Sequence, residues 1–167
     1  MAVARQTRKP TGSRHAAASP VADLVLAANK MDRLTSMGIS RTARKFFEAA
    51  EILRSEKDKT FAPTYFCICQ SIELSLKAFL RGSGYTDNDL RKIGHDLEES
   101  VGQARAAGLD DHFKFSAEDY AAIRQINAHY KGKDLQYTKS GFRSFPHVDI
   151  LIDLGSRLWK STRSSPL

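Results

Sequence analysis

The chain has 167 residues, of which 41% are hydrophobic and 27% charged, and a formal net charge of +7. That length and composition argue for one globular domain with a single core. No apolar run approaches the roughly 18–20 residues that cross a bilayer, and residues 1–20 lack the apolar centre of a secretory leader, so no membrane is expected.

The charge is unevenly spread. Residues 1–20 hold Arg5, Arg8, Lys9 and Arg14 with no acid, and 160–167 add Lys160 and Arg163. The body, 21–159, therefore carries only +1 of the +7. The N-terminal stretch, rich in Ala, Ser, Thr, Arg and Pro, reads as a disordered basic tail. A tail of this kind suits RNA or another anionic surface. It also has the composition of an organellar transit peptide, and a solvated tail is the simplest reading. Residues 160–167 read as a second short basic tail, and 21–159 as the folded domain.

Within that domain the apolar pattern is helical throughout. Ser19-Pro20 is a helix start, and Val21–Met37 places Leu24, Ala27, Ala28, Met31 and Leu34 on one face, with Gly38 as its terminator. Ser40 then caps a helix whose stripe is Ala43, Phe46, Phe47, Ala50 and Leu53. Its other face carries Arg41, Arg44, Lys45, Glu48 and Glu51, as a solvated surface would.

The stretch from about Ala62 to Leu80 is apolar around nearly its whole circumference, which predicts a central helix packed on several sides. Cys67 and Cys69 stand two apart on it, point in different directions and read as small buried residues. Having only these two thiols fits a reducing, cytoplasmic setting. Glu73 and Lys77 stand four apart in the favourable order for an ion pair. Gly82 and Gly84 end this helix.

Thr86 to Asp89 predicts a capped short turn through Lys92. Asp96 and Glu99 have capping-box spacing and open a helix to about Ala107, closed by Gly108. Ser116 and Asp119 open the next helix, and Ser144-Phe145-Pro146 signals the last, which buries Val148, Leu151, Ile152, Leu158 and Trp159. No strand alternation and no repeat is visible. The expectation is an all-α, single-domain bundle of about five to six helices.

Three stretches resemble a known family. They are Ala43-Arg44-Lys45-Phe46-Phe47-Glu48-Ala49-Ala50-Glu51-Ile52-Leu53, Gln70-Ser71-Ile72-Glu73-Leu74-Ser75-Leu76-Lys77-Ala78-Phe79-Leu80, and Gly94-His95-Asp96-Leu97-Glu98-Glu99. With the later Arg124-x4-His129, they look like the HEPN superfamily (higher eukaryote and prokaryote nucleotide-binding) over roughly residues 40–159. The resemblance implies a helical bundle of four or five helices, commonly paired as a homodimer. It also implies kinship with toxin, stress or defence ribonucleases that cut RNA without a metal or other cofactor. A toxin of this kind would be partnered by an antitoxin or a small nucleotidyltransferase.

By that resemblance Arg124 holds the scissile phosphate and steadies the transition-state charge, and His129 moves the proton. Gln125, Asn127, Tyr130 and His95 are accessory candidates. Gln125 departs from the family pattern, in which Asn, Asp or His often follows the Arg. The Asn127-x-x-Tyr130 pattern marks subgroups that do not depend on the Arg/His pair.

Five residues at 100° each separate Arg124 and His129 by about 140° on a helix. A shared site therefore needs a frayed helix end or a second copy of the chain. The structural alternatives are a salt bridge from Arg124 to Asp119 or Glu118, helix-end capping by His129, and packing of His95 beside the Asp96 cap. No grouping has metal-ligand spacing, and Gly82-Ser83-Gly84 is no phosphate loop. Two functions stay open: a dimeric, metal-independent endoribonuclease, or a catalytically inert module that binds a partner protein, nucleotide or RNA.

Overall fold

A computed structural model describes residues 35–56, 61–137 and 144–164. The basic N-terminal tail, the Ser19-Pro20 start, the apolar stripe from Leu24 to Leu34 and Gly141 lie outside the described residues. Among the described residues six α-helices follow in order: α1 Ser36–Arg54, α2 Phe61–Gly82, α3 Asp87–Ile93, α4 Leu97–Ala106, α5 Ala117–Lys131 and α6 Val148–Ser164. A 3-10 turn, Leu109–Asp111, sits between α4 and α5, and no strand occurs among the described residues. The protein is an all-α bundle.

Local chemistry sets most of these boundaries. Thr86 and Ser116 each form a full capping box, with Asp89 and Asp119 returning the bond to the cap backbone. Asp96 caps α4 by accepting from the Glu99 amide at 3.1 Å, and Gly108, at φ +94°, turns the chain out of α4 as only glycine does readily.

The start of α1 differs from expectation. Gly38 does not end a helix; it is buried inside α1, and the cap is Thr35, whose hydroxyl accepts from the Gly38 amide at 3.0 Å. Tertiary contact explains the shift: the Ser36 hydroxyl donates to the Ala78 carbonyl of α2 at 2.8 Å, tying this turn to the bundle. At the other end, α6 continues past Trp159, with Thr162 buried and the Ser161 hydroxyl donating to the His112 carbonyl at 2.7 Å. Residues 160–164 are thus helical, where the sequence predicts a tail.

The central position of α2 is as its composition predicts. Ile68, Cys69, Ile72, Leu76 and Leu80 are wholly inaccessible, and Tyr65, Ala78 and Phe79 nearly so. Burying its large apolar side chains is worth on the order of 10–20 kcal/mol before chain entropy is subtracted. Around it, α1 runs antiparallel and α6 parallel, α4 packs on its C-terminal half, and α5 lies against α4 and α6. Gly155 of α6 permits the closest approach, since a Cβ there would meet the Ile68 Cδ1 at 2.6 Å. The C-terminal half of α5 is thereby wedged between the start of α4 and the segment leading into α6.

Candidate functional site

The capping box at Ser116 fixes where α5 begins, and its core residues Ala122, Ile123, Ile126 and Tyr130 fix its rotation. The remaining polar residues must then fall to either side of this apolar stripe. Arg124, Asn127 and Lys131 face the start of α4, whereas Gln125 and His129 face the segment entering α6.

On the α4 side a dense polar network forms. The Asn127 side-chain carbonyl accepts from the Leu97 amide at 2.8 Å, and its NH₂ group donates to Asp96 and Glu98, each at 2.9 Å. Lys131 reaches the other Asp96 oxygen at 2.5 Å. Burial by itself would raise the Asp96 carboxyl, but the bonds from Lys131, the Glu99 amide and Asn127 outweigh it and hold the group below the usual carboxylate range.

Beneath this lies a buried carboxylate. Glu73 is 2% exposed. Its Oε1 accepts from Lys77 at 2.6 Å, and its Oε2 accepts from the Tyr130 hydroxyl at 2.6 Å and faces the His95 Nδ1 at 2.9 Å. Lys77 also donates to the Gly94 carbonyl at 2.6 Å, which fastens the turn before α4. Burial, then the charge of Glu73, pushes the Tyr130 hydroxyl up, so it stays a donor throughout the accessible pH range. Burial also raises the Cys69 thiol, leaving it an inert apolar filler. The Glu73–Lys77 pair is as the sequence predicts, but it is a core contact joining α2 to α4 and α5. His95 is drawn to Glu73, with its ring edge-on to Tyr130 and 49% of its side chain exposed.

The Arg124 and His129 pair does not converge within one chain. The Arg124 side chain is 75% exposed and its Nε stands 3.9 Å from Glu98, in place of the Asp119 or Glu118 pairing. Asp119 instead binds Arg157 of α6 at 2.6 Å. His129 is 17% exposed and stacks on Phe145 with centroids 4.5 Å apart. Its Nε2 donates to the Ser144 carbonyl at 3.2 Å, and its Nδ1 faces the Asp134 carboxylate at 3.6 Å. Gln125 donates to the Ser144 hydroxyl at 2.7 Å. His129 thus anchors the segment entering α6, a role beyond helix-end capping.

Sequence reasoning named Asn127, Tyr130 and His95 as accessories but joined neither Tyr130 nor His95 to Glu73, nor Asn127 to Asp96 and Glu98, and it missed Lys131 and Phe145. The signal for the first was available in part: a carboxylate on an otherwise apolar helix must find buried donors elsewhere. No signal tied Phe145 to His129, because the two are joined only by the return of the chain.

No group of three His, Cys, Asp or Glu suited to a metal ion occurs among the described residues, and none of their helices is long and apolar enough to cross a membrane. Comparison with family models, with curated proteins and with solved structures returns no match.

Proposed function

We propose that this protein is a HEPN-like helical module that works by binding a partner protein, nucleotide or RNA, and that one chain does not cut RNA with Arg124 and His129. The observation supporting this is the engagement of His129. Its ring is stacked, one nitrogen is spent on a backbone carbonyl and the other faces a carboxylate. A general base needs a nitrogen within reach of the proton it takes, and Arg124 lies on another face of α5. The family resemblance supplies the binding role, while Asn127 and Tyr130 act as fasteners of the bundle.

A second reading rests on Arg124, whose exposure and loose 3.9 Å contact leave the guanidinium accessible to a phosphate. Two chains related by a two-fold axis would then bring Arg124 of one near His129 of the other. The test is incubation of the full chain with single-stranded RNA in EDTA, alongside sedimentation at micromolar concentration. The expected result is no cleavage. Cleavage leaving a 2′,3′-cyclic phosphate, from a dimer, and reduced by roughly 10²–10⁴ in His129→Ala, would decide for the composite ribonuclease.

A further inference from the structure

At the end of the bundle where α1 stops and α2 and α6 begin lies an open groove of about 580 Å³. It is lined by Arg54, Phe61, Tyr65, Phe145, Pro146 and His147, among others. Its size falls in the range of small-ligand sites, about 300–1,000 Å³.

Three rings make its floor. Phe61 meets Tyr65 at 4.7 Å and Phe145 at 5.0 Å, and Tyr65 meets Phe145 at 5.3 Å. Two contacts hold the cluster in place: the Tyr65 hydroxyl donates to the Pro146 carbonyl at 2.6 Å, and His129 stacks on Phe145. Phe61 nevertheless leaves 47% of its surface exposed. A large ring left in solvent beside two others is a surface that gains by covering with another flat apolar group.

Charge narrows the occupant. Arg54 stands at the rim, its side chain 41% exposed, and donates to Asp149 at 3.0 Å through Nη1 alone among the described residues. The Nε and Nη2 donors of its fork remain for an acceptor, and a guanidinium fork suits a carboxylate. Asp149 sets the limit on the other side. Its negative charge neighbours both Arg54 and His147, so a second negative charge on the ligand would be repelled. A cation would meet Arg54, and a neutral ring would forgo its donors. A singly charged aromatic acid satisfies all of these constraints.

We propose that this groove is a binding site for a small aromatic carboxylate, its ring on Phe61, Tyr65 and Phe145 and its carboxylate on Arg54. The site stands apart from the question of RNA cleavage, because it requires neither Arg124 nor a second chain. The test titrates the full chain with 2-naphthoate, 2-naphthol and uridine 5′-monophosphate by calorimetry.

The expected result is saturable one-site binding of 2-naphthoate, with 2-naphthol about fivefold or more weaker and the nucleotide weakest. Arg54→Gln should abolish the preference for acid over alcohol while still binding 2-naphthol. Phe61→Ala should weaken both naphthyl probes about tenfold, with helicity checked by circular dichroism. No saturation at millimolar probe, as when the chain fills its own groove, would overturn the proposal. So would equal binding of acid and alcohol, tightest binding of the nucleotide, or full affinity in Arg54→Gln.

Discussion

The two polar edges of α5 use similar residue types for opposite ends. On the α4 edge, Asn127, Tyr130 and Lys131 meet Asp96, Glu98 and the buried Glu73 in short bonds that leave few groups free. On the other edge Gln125 and His129 hold only the start of the α6 approach, and Arg124, although it faces α4, stays exposed with one long contact to Glu98. The difference teaches that burial, more than residue chemistry, decides which polar side chains are structural. A carboxylate at 2% exposure must be paired or it destabilises the fold.

The contrast breaks most directly at Glu73. Glu73→Ala would leave the Tyr130 hydroxyl without its acceptor and Lys77, 13% exposed, with a charge compensated only by the Gly94 carbonyl. A loss of about 3–5 kcal/mol in urea unfolding is expected, the cost of orphaning one side of a buried pair. Retention of wild-type stability would mean that the bundle is not fastened there.

Asn127→Ala comes next. It removes three bonds to the start of α4, and one buried acceptor or donor left unpaired costs about 1–3 kcal/mol. Hydrogen exchange should rise first at the amides of Leu97 to Ser100.

A smaller effect is expected in acid. Because the folded Asp96 carboxyl lies below its ordinary value, its contribution is fully present above the unfolded value of about 4 and is lost as pH falls through the lower folded value. Asp96→Asn, which keeps a capping residue, should flatten the stability–pH curve on the acid side and leave its neutral region nearly flat. An unchanged acid limb in this variant would assign the acid sensitivity to other carboxylates.

Arg124→Ala should do least, within about 0.5 kcal/mol, as for an exposed residue with one long contact. His129→Ala should fall between this and Asn127→Ala, since it removes a stacked, largely buried ring. If Arg124→Ala proved as costly as Asn127→Ala, the distinction between buried and exposed polar residues of α5 would collapse.

Much of the bundle was legible because its cues are local. A capping residue needs only its own helix, so Thr86, Asp96 and Ser116 announced their starts, and Gly108 its stop. The all-round apolarity of α2 announced its central place. Gly38 misled for the same reason: local preference ends a helix there, yet Thr35 caps a helix that starts before it, and Ser36 bonded to Ala78 ties that first turn to the bundle. The candidate site was only half legible. The 140° separation of Arg124 and His129 followed from helix geometry, but their actual partners, Glu98 and the Ser144–Phe145 segment, come from distant parts of the chain.

The sequence by itself determined the helical class, the order of the helices, the central helix and the parting of Arg124 from His129, since period and capping are properties of neighbouring residues. Only the tertiary structure decided that Glu73 gathers Lys77, His95 and Tyr130, and that Phe61, Tyr65 and Phe145 share one groove beside Arg54. Those groupings span tens of residues, and they exist because α1, α4, α5 and α6 must all cover α2 to remove its apolar surface from water.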